Sequence, residues 1–283
     1  MKKNFSLVLF FFLLVLGPLN AQKKQLFILH TNDAHSCVMP LSKNLADTFW
    51  ANRGGFVRRL TMIKQQRQSH PDLLLFDSGD FSQGSPYYTL FKGDVEIGLM
   101  NMMKYDAAVI GNHEFDFGLD NMAHLFKEAR FPILCANYDF TNTPVQGIVK
   151  PWVIIKRDGL KIGVFGLSPH LKGLVDNRKC VGVKFLDPVK TALQVATFLK
   201  KKKKCDLVIC LSHLGWNISD AQDDEDVIKG SRDIDLVLGG HSHTFFKSLR
   251  YETNLDGKRV PDDQNGKSAI YVGDLSLDFV KKH

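Results

Sequence analysis

Five apolar runs in this chain end in the same way: a short stretch of Val, Ile, Leu and Phe gives way to Asp, His or Asn beside glycine. LFILHTNDAH ends in Asp33 and His35, DLLLFDSGD in Asp80, and AAVIGNHE in Asn112 and His113. DLVICLSHLG ends in His213, and RDIDLVLGGHSH in His241 and His243. Runs of this length and β-branched content read as buried strands. Between the first of them lie helix-patterned segments, GGFVRRLTMIKQQRQ, VEIGLMNMMKY and LDNMAHLFKEAR. A βαβα order of this kind predicts a mainly parallel sheet covered by helices. FPILCANY and SAIYVGDLSLDFV add strand-like runs, and Asp158-Gly159 between WVIIKR and LKIGVFGLS signals a hairpin. The sheet system is therefore expected to be mixed and larger than one doubly wound layer.

With 283 residues, 44% hydrophobic and 24% charged, the chain has material for one large globular domain. Its start, MKKNFSLVLFFFLLVLGPLNA, runs from a lysine pair through an apolar block to Gly17-Pro18 and Ala21. That is the pattern of a secretory signal peptide, residues 1–21, and not of a membrane span, which needs ~18 or more apolar residues. The expected mature domain is 22–283, periplasmic or secreted, with no membrane attachment after cleavage. The five cysteines lack a CxxC spacing, which argues against a thiolate zinc site or a disulfide framework. The net charge of +7 owes much to Lys200–Lys204, which follows the helix-like DPVKTALQVATFLK. No aromatic residues interleave that run, so it reads as a solvated helix end and not as a nucleic-acid surface. The acidic QDDED at 222–226 reads as a solvated loop or helix start.

In open α/β sheets ligands bind beyond the carboxyl ends of the strands, so the five polar bursts are expected to converge. Residues two apart on an extended chain point the same way, which lets Asp33 with His35, and His241 with His243, each address one site. Histidines, aspartates and an asparagine amide oxygen form a borderline N/O donor set suited to Zn, Mn, Fe or Co. The seven candidates Asp33, His35, Asp80, Asn112, His213, His241 and His243 exceed what one catalytic ion takes. With Asp80 bridging, they divide between two ions that would activate a shared water for phosphoester hydrolysis. His30, inside the first strand, reads as a buried hydrogen-bonding group, Cys37 as structural, and His70, His124, His170 and His283 carry no assigned role.

The blocks DAH, GDFSQG, GNHEFD, SHLG and GGHSH, in this order, resemble the calcineurin-like metallophosphoesterase superfamily. ILHTNDAH, GGFVRR and GNHEFDFG resemble more narrowly the N-terminal catalytic domain of the 5′-nucleotidase family. The resemblance implies a four-layer α/β/β/α sandwich of two mixed sheets flanked by helices. It implies one metal held by Asp33, His35, Asp80 and His243, where some members carry Gln at the last position, and another by Asp80, Asn112, His213 and His241. It further implies His113 as general acid to the leaving group, oriented by Asp116, with Glu114 the rival for that role. The expected activity is a phosphomonoesterase of nucleotidase type acting on a phosphorylated small molecule, a nucleotide foremost. A phosphodiesterase acting on cyclic nucleotides or nucleotide sugars, and a metal-stabilised non-catalytic half of a two-chain complex, are the alternatives. The family's C-terminal nucleotide-binding domain finds no match here, so broad hydrolysis or a separate nucleotide-binding polypeptide is expected.

Overall fold

The computed structural model describes residues 24–279. The leader and its cleavage point, and His283, lie outside the described residues. The first sheet has the order β13-β1-β2-β3-β4. Its strands are β1 (Lys24–Thr31), β2 (Leu74–Asp77), β3 (Ala107–Val109), β4 (Ile133–Leu134) and β13 (Gly273–Phe279). Strands β1 to β4 run parallel, and β13 is antiparallel to β1. The second sheet has the order β11-β12-β10-β9-β7-β6, built from β6 (Trp152–Arg157), β7 (Leu160–Leu167), β9 (Leu207–Ser212), β10 (Leu236–Leu238), β11 (Arg250–Thr253) and β12 (Arg259–Asp263). Its four central strands are parallel, while β6 and β11 close the edges antiparallel. A small ribbon pairs β5 (Tyr138–Asp139) with β8 (Lys184–Phe185).

Period-two alternation stacks these sheets face to face. Leu26, Ile28, Leu74, Phe76, Ala107 and Val109 from the first sheet pack against Ile162, Val164, Ile209, Leu211, Leu236 and Leu238 from the second. The alternate residues point outward. Leu29, Leu75 and Ala108 meet α1 (Phe56–Ser69), α3 (Asp94–Met103) and α4 (Gly118–Glu128) through Phe56, Ile63, Ile97, Met100 and Met122, with the short α2 (Pro86–Phe91) leading into α3. Phe165, Val208, Cys210 and Val237 meet α5 (Pro188–Thr197) and α6 (Asp224–Lys229) through Ala192, Ala196, Val227 and Ile228. The result is the expected four-layer α/β/β/α sandwich. The Asp158-Gly159 turn does join an antiparallel pair, β6 and β7.

Three local expectations change. FPILCANY forms the two-residue β4 and ends on the first residue of β5, and SAIYVGDLSLDFV is a strand only from Gly273 onward, opening instead with a turn in which Ser268 and Ala269 adopt left-handed backbone (φ 60° and 56°). The acidic run at 222–226 is the helix start of the two readings, but a buried one: Asp223 caps α6 in a capping box with Asp226, and Asp224 is fully buried. Its carboxylate accepts from Ser212 Oγ and from Gln264 Nε2, which supplies the partners a buried polar group requires. None of the five cysteines is paired, and among the described residues no helix is long and apolar enough to cross a membrane.

Candidate metal centre and active site

The polar bursts meet at the carboxyl ends of β1, β2 and β3 in one sheet and of β9 and β10 in the other. The loops after β1 and β2 are zipped together by the main chain, with Asp33 N donating to Gly79 O, His35 N to Asp80 O and Ser36 N to Phe81 O, each at 2.9 Å. Across the sheets, Ser78 Oγ donates to Leu238 O (2.7 Å) and Ser168 Oγ to Ile110 O. The two sheets are thereby clamped at the end that carries the site.

The pairs Asp33 with His35 and His241 with His243 converge, but not by strand alternation. All four, and Asp80, lie past the strand ends with φ between 45° and 71°. A non-glycine residue there is held by its surroundings against a local cost, as at many functional sites. Here the holding contacts are visible: the Asp33 carboxylate accepts from the backbone N–H of His241 (3.0 Å) and Asp80 from that of His113 (2.9 Å). Gly111 is required because a Cβ there would collide with the Asp80 carboxylate.

Asp33 Oδ1 sits at the middle of the cluster, 3.4 Å from His243 Nε2, 3.7 Å from His35 Nε2 and 4.0 Å from His213 Nε2. His35 and His243 face each other through Nε2 at 2.8 Å, and His213 Nε2 lies 3.1 Å from Asp80 Oδ2. Three groupings of side chains have donor atoms close enough to share an ion: Asp33, His35 and His243; His35, Asp80 and His113; and Asp80, His213 and His241. Asp80 belongs to two of them. His113, expected as an acid and not as a ligand, belongs to one.

Whether these residues suit metal ions can be tested on atoms that are buried yet unsatisfied. Asp33 Oδ1, His35 Nδ1, Asn112 Oδ1 and His213 Nε2 are all buried without a hydrogen-bond partner. Orphaned buried polar atoms are costly and uncommon, and the unpartnered oxygens of Asp33, at the middle of the cluster, and of Asn112 are acceptors that a cation would satisfy. His213 Nδ1 donates to Ser78 O at 2.6 Å, which turns Nε2 toward the cluster and Asp80. The donor set fits divalent cations of the Zn, Mn, Fe or Co kind.

Electrostatics agree. Burial opposes charge on both Asp80 and His213, but their mutual attraction outweighs it, holding the carboxyl low and pushing the imidazole up to about 10. Burial, reinforced by the neighbouring His213, lowers His241 to about 4. Burial likewise lowers His35, against the pull of Asp80 and Asp33. His113 goes the other way: burial is outweighed by its hydrogen bond to Asp116 and by the charge of Asp80, so its proton is held more tightly.

His113 stands at the rim with its side chain 28% exposed, open enough to meet a substrate, and its Nδ1 donates to Asp116 Oδ2 at 3.0 Å. Glu114 is occupied elsewhere. Its buried carboxylate accepts from the backbone N–H groups of Gly111 (2.7 Å), Asp80 (3.1 Å) and Ser82 (3.2 Å), binding the β2 and β3 loops together. His30 is buried, with Nε2 2.9 Å from Asp263 Oδ2, as a hydrogen-bonding core group. Three supporting residues escaped sequence reasoning. Ser78 orients His213, Tyr88 donates through its hydroxyl to His113 O (3.1 Å), and Gln264 accepts from Ser242 Oγ (2.9 Å) in the loop bearing His241 and His243. Ser78 at least lies within the DSGD burst; for Tyr88 and Gln264 no local sequence signal exists.

A fold of two stacked mixed sheets with histidines and carboxylates at their shared carboxyl end defines a metallophosphoesterase, and the calcineurin-like phosphoesterase profile matches residues 27–245: the chain belongs to that family. Human 5′-nucleotidase is 32% identical over 274 residues, covering 90% of this chain and 46% of that protein. A 5′-nucleotidase precursor from Thermus thermophilus superposes with a TM-score of 0.81 at 27% identity, covering 90% of this chain and 51% of the other. The calcineurin-like phosphoesterase YfkN from Bacillus subtilis gives a TM-score of 0.74 at 28% identity, covering 92% and 86%. The chain spans about half the length of the curated relatives it matches.

Proposed function

We propose that residues 22–283 form the catalytic domain of an exported, dinuclear metal-dependent phosphoester hydrolase that acts as a 5′-nucleotidase-type phosphomonoesterase. The observation that carries this reading is the gathering of Asp33, His35, Asp80, His213, His241 and His243 into overlapping groups whose donor atoms lie close enough to share ions, with Asp80 and His35 each in two of them. Asp33, His35, Asp80 and His243 would hold one cation, and Asp80, Asn112, His213 and His241 the other. Such a pair, when bound, supplies Lewis acidity toward phosphoryl oxygens and toward water. The chain's own residues do the rest. The Asp33 and Asp80 carboxylates keep the site anionic and fix its geometry through backbone donors. His113, with Nδ1 tied to Asp116, has its Nε2 proton free for the oxygen of the departing alcohol, and Asp116 stabilises the charged ring until that transfer. Curated relatives named as 5′-nucleotidases favour a nucleotide monoester over a diester.

The decisive assay measures inorganic phosphate released from AMP by the metal-loaded protein, beside cleavage of a cyclic nucleotide and a UDP-sugar. Turnover of AMP is expected; cleavage of the diesters alone would make the protein a phosphodiesterase. Two bound ions with no turnover, and no effect of His113→Ala, would reduce it to a binding half of a larger assembly. Export rests on residues 1–21 alone and predicts a mature protein that begins at Gln22, which mass spectrometry of the expressed chain reads directly.

A further inference from the structure

On the His243 side of the metal centre, the loop that follows β10 and the segment that leads into β13 enclose a cavity of about 440 Å³. Trp50, Phe245, Tyr271 and Leu41 line it together with the His243 imidazole. The rings of Phe245 and Tyr271 stack at 4.1 Å with 19° between their planes, and Trp50 meets Tyr271 edge-on at 6.1 Å. Phe245 stays 41% exposed while stacked, so aromatic surface is left open toward the cavity.

This surface is rigid and joined to the site. Phe245 bridges Asn265, Gly266 N donates to Thr244 O (2.9 Å), and Phe246 N to Gln264 O (3.1 Å). The opposite wall hangs on the loop that bears Asp33: Ser268 N donates to Asp33 O and Asn32 Nδ2 to Gly266 O, both at 2.8 Å. His243 is thus common to the cluster and to the cavity. A large aromatic kept half exposed on a pinned backbone, beside a polar centre, has the make-up of a small-molecule subsite. Lys267 and Asp47 also line it and can meet polar ring edges.

We propose that this slot receives the planar ring of the phosphoester's leaving group, an aryl ring or a nucleobase, while the phosphoryl group lies at the metal centre. The proposal rests on the phosphoesterase reading of that centre. The lining offers a second phosphate Lys267 alone, offset by the carboxylate of Asp47, whereas a planar ring covers the open face of Phe245. A glycerol-type leaving group would leave that face wet.

Two measurements test it, only one of which needs turnover. Adenosine, which has no phosphate, is titrated calorimetrically into wild type, Phe245→Ala and Phe245→Tyr. Loss of one stacking face is expected to raise Kd roughly tenfold in Phe245→Ala, with Phe245→Tyr near wild type. In the kinetic arm, selectivity (kcat/KM) for AMP and for 4-nitrophenyl phosphate over glycerol phosphate is expected to fall roughly tenfold in Phe245→Ala. A Kd for adenosine that Phe245→Ala leaves unmoved, or equal losses on all three substrates, overturns the slot. So does a wild-type dimer that Phe245→Ala converts to monomer with ring affinity unaltered, since a second copy would then be the occupant. Phe245-dependent adenosine binding without hydrolysis of any phosphoester keeps the slot and defeats the hydrolase; hydrolysis without ring preference does the reverse.

Discussion

His113 and Glu114 are neighbours with different tasks, divided by burial. Glu114 spends both carboxylate oxygens on backbone N–H groups, and burial, reinforced by the charge of Asp80, pushes it up to about 8. His113 remains at the rim and keeps Asp116 as its partner. If it is the general acid, His113→Asn should lower kcat on AMP by ~10²-fold or more with metal content near wild type. The loss should be much smaller on 4-nitrophenyl phosphate, whose leaving group departs without a proton. Asp116 helps raise the His113 pKa, and the acid must be protonated to act. Asp116→Asn should therefore move the alkaline limb of the kcat profile to lower pH, an effect a purely structural role would not produce. Gly111→Ala drives a methyl group into the Asp80 carboxylate; loss of metal, with about 1–3 kcal/mol of stability, is the expected outcome in metal analysis and thermal melting.

The elements that carry the site are loops made rigid by each other, not strands. Five of the seven proposed ligands have left-handed backbone; the zipper between the β1 and β2 loops holds Asp33, His35 and Asp80 there, and the Asp33 carboxylate accepts from the backbone N–H of His241. Strand alternation thus paired Asp33 with His35 for a reason the structure replaces, while His241 and His243 fall in different donor groupings. Helix α6 shows the same dependence on its surroundings: Asp223 caps it and also accepts from Ile218 N (2.9 Å), so one carboxylate fixes both the helix and the loop before it. Asp223→Ala should cost about 1 kcal/mol for the cap alone. More than that in denaturant unfolding would measure the loop contact as well.

For the molecule as a whole, the two sheets enclose an apolar layer but are clamped at the active end by polar contacts, and this makes stability responsive to pH and metal. Burial pushes Asp77, beneath the β2 loop, up to about 7. Between the ~4 of an unfolded Asp and that value, the folded state binds the extra proton, so stability falls as pH rises through this window. Asp77→Asn should remove that slope, read as the difference between wild-type and variant melting temperatures of the metal-free protein at pH 4.5 and 8. Metal acts in the opposite sense. Its proposed ligand His213 is held protonated up to about 10, so binding at neutral pH should release a proton, and affinity should rise with pH. Titrating Zn or Mn into weakly buffered protein reads the release directly, and a site at 100-fold excess over its Kd adds ~2.7 kcal/mol to stability. A mainly parallel, mixed sheet system covered by helices and the convergence of polar strand ends were legible in the sequence because hydrophobic period and strand-end chemistry are local, whereas the four-layer order followed from the family resemblance. The backbone conformation of Asp33, His35, Asp80, His241 and His243, the burial of Asp224, the division of labour between Asp116 and Glu114, and the aromatic slot were decided only in three dimensions. Each depends on a hydrogen bond or ring contact between segments far apart in the chain, and the spacing of residues along one segment carries no record of what another will bring to it.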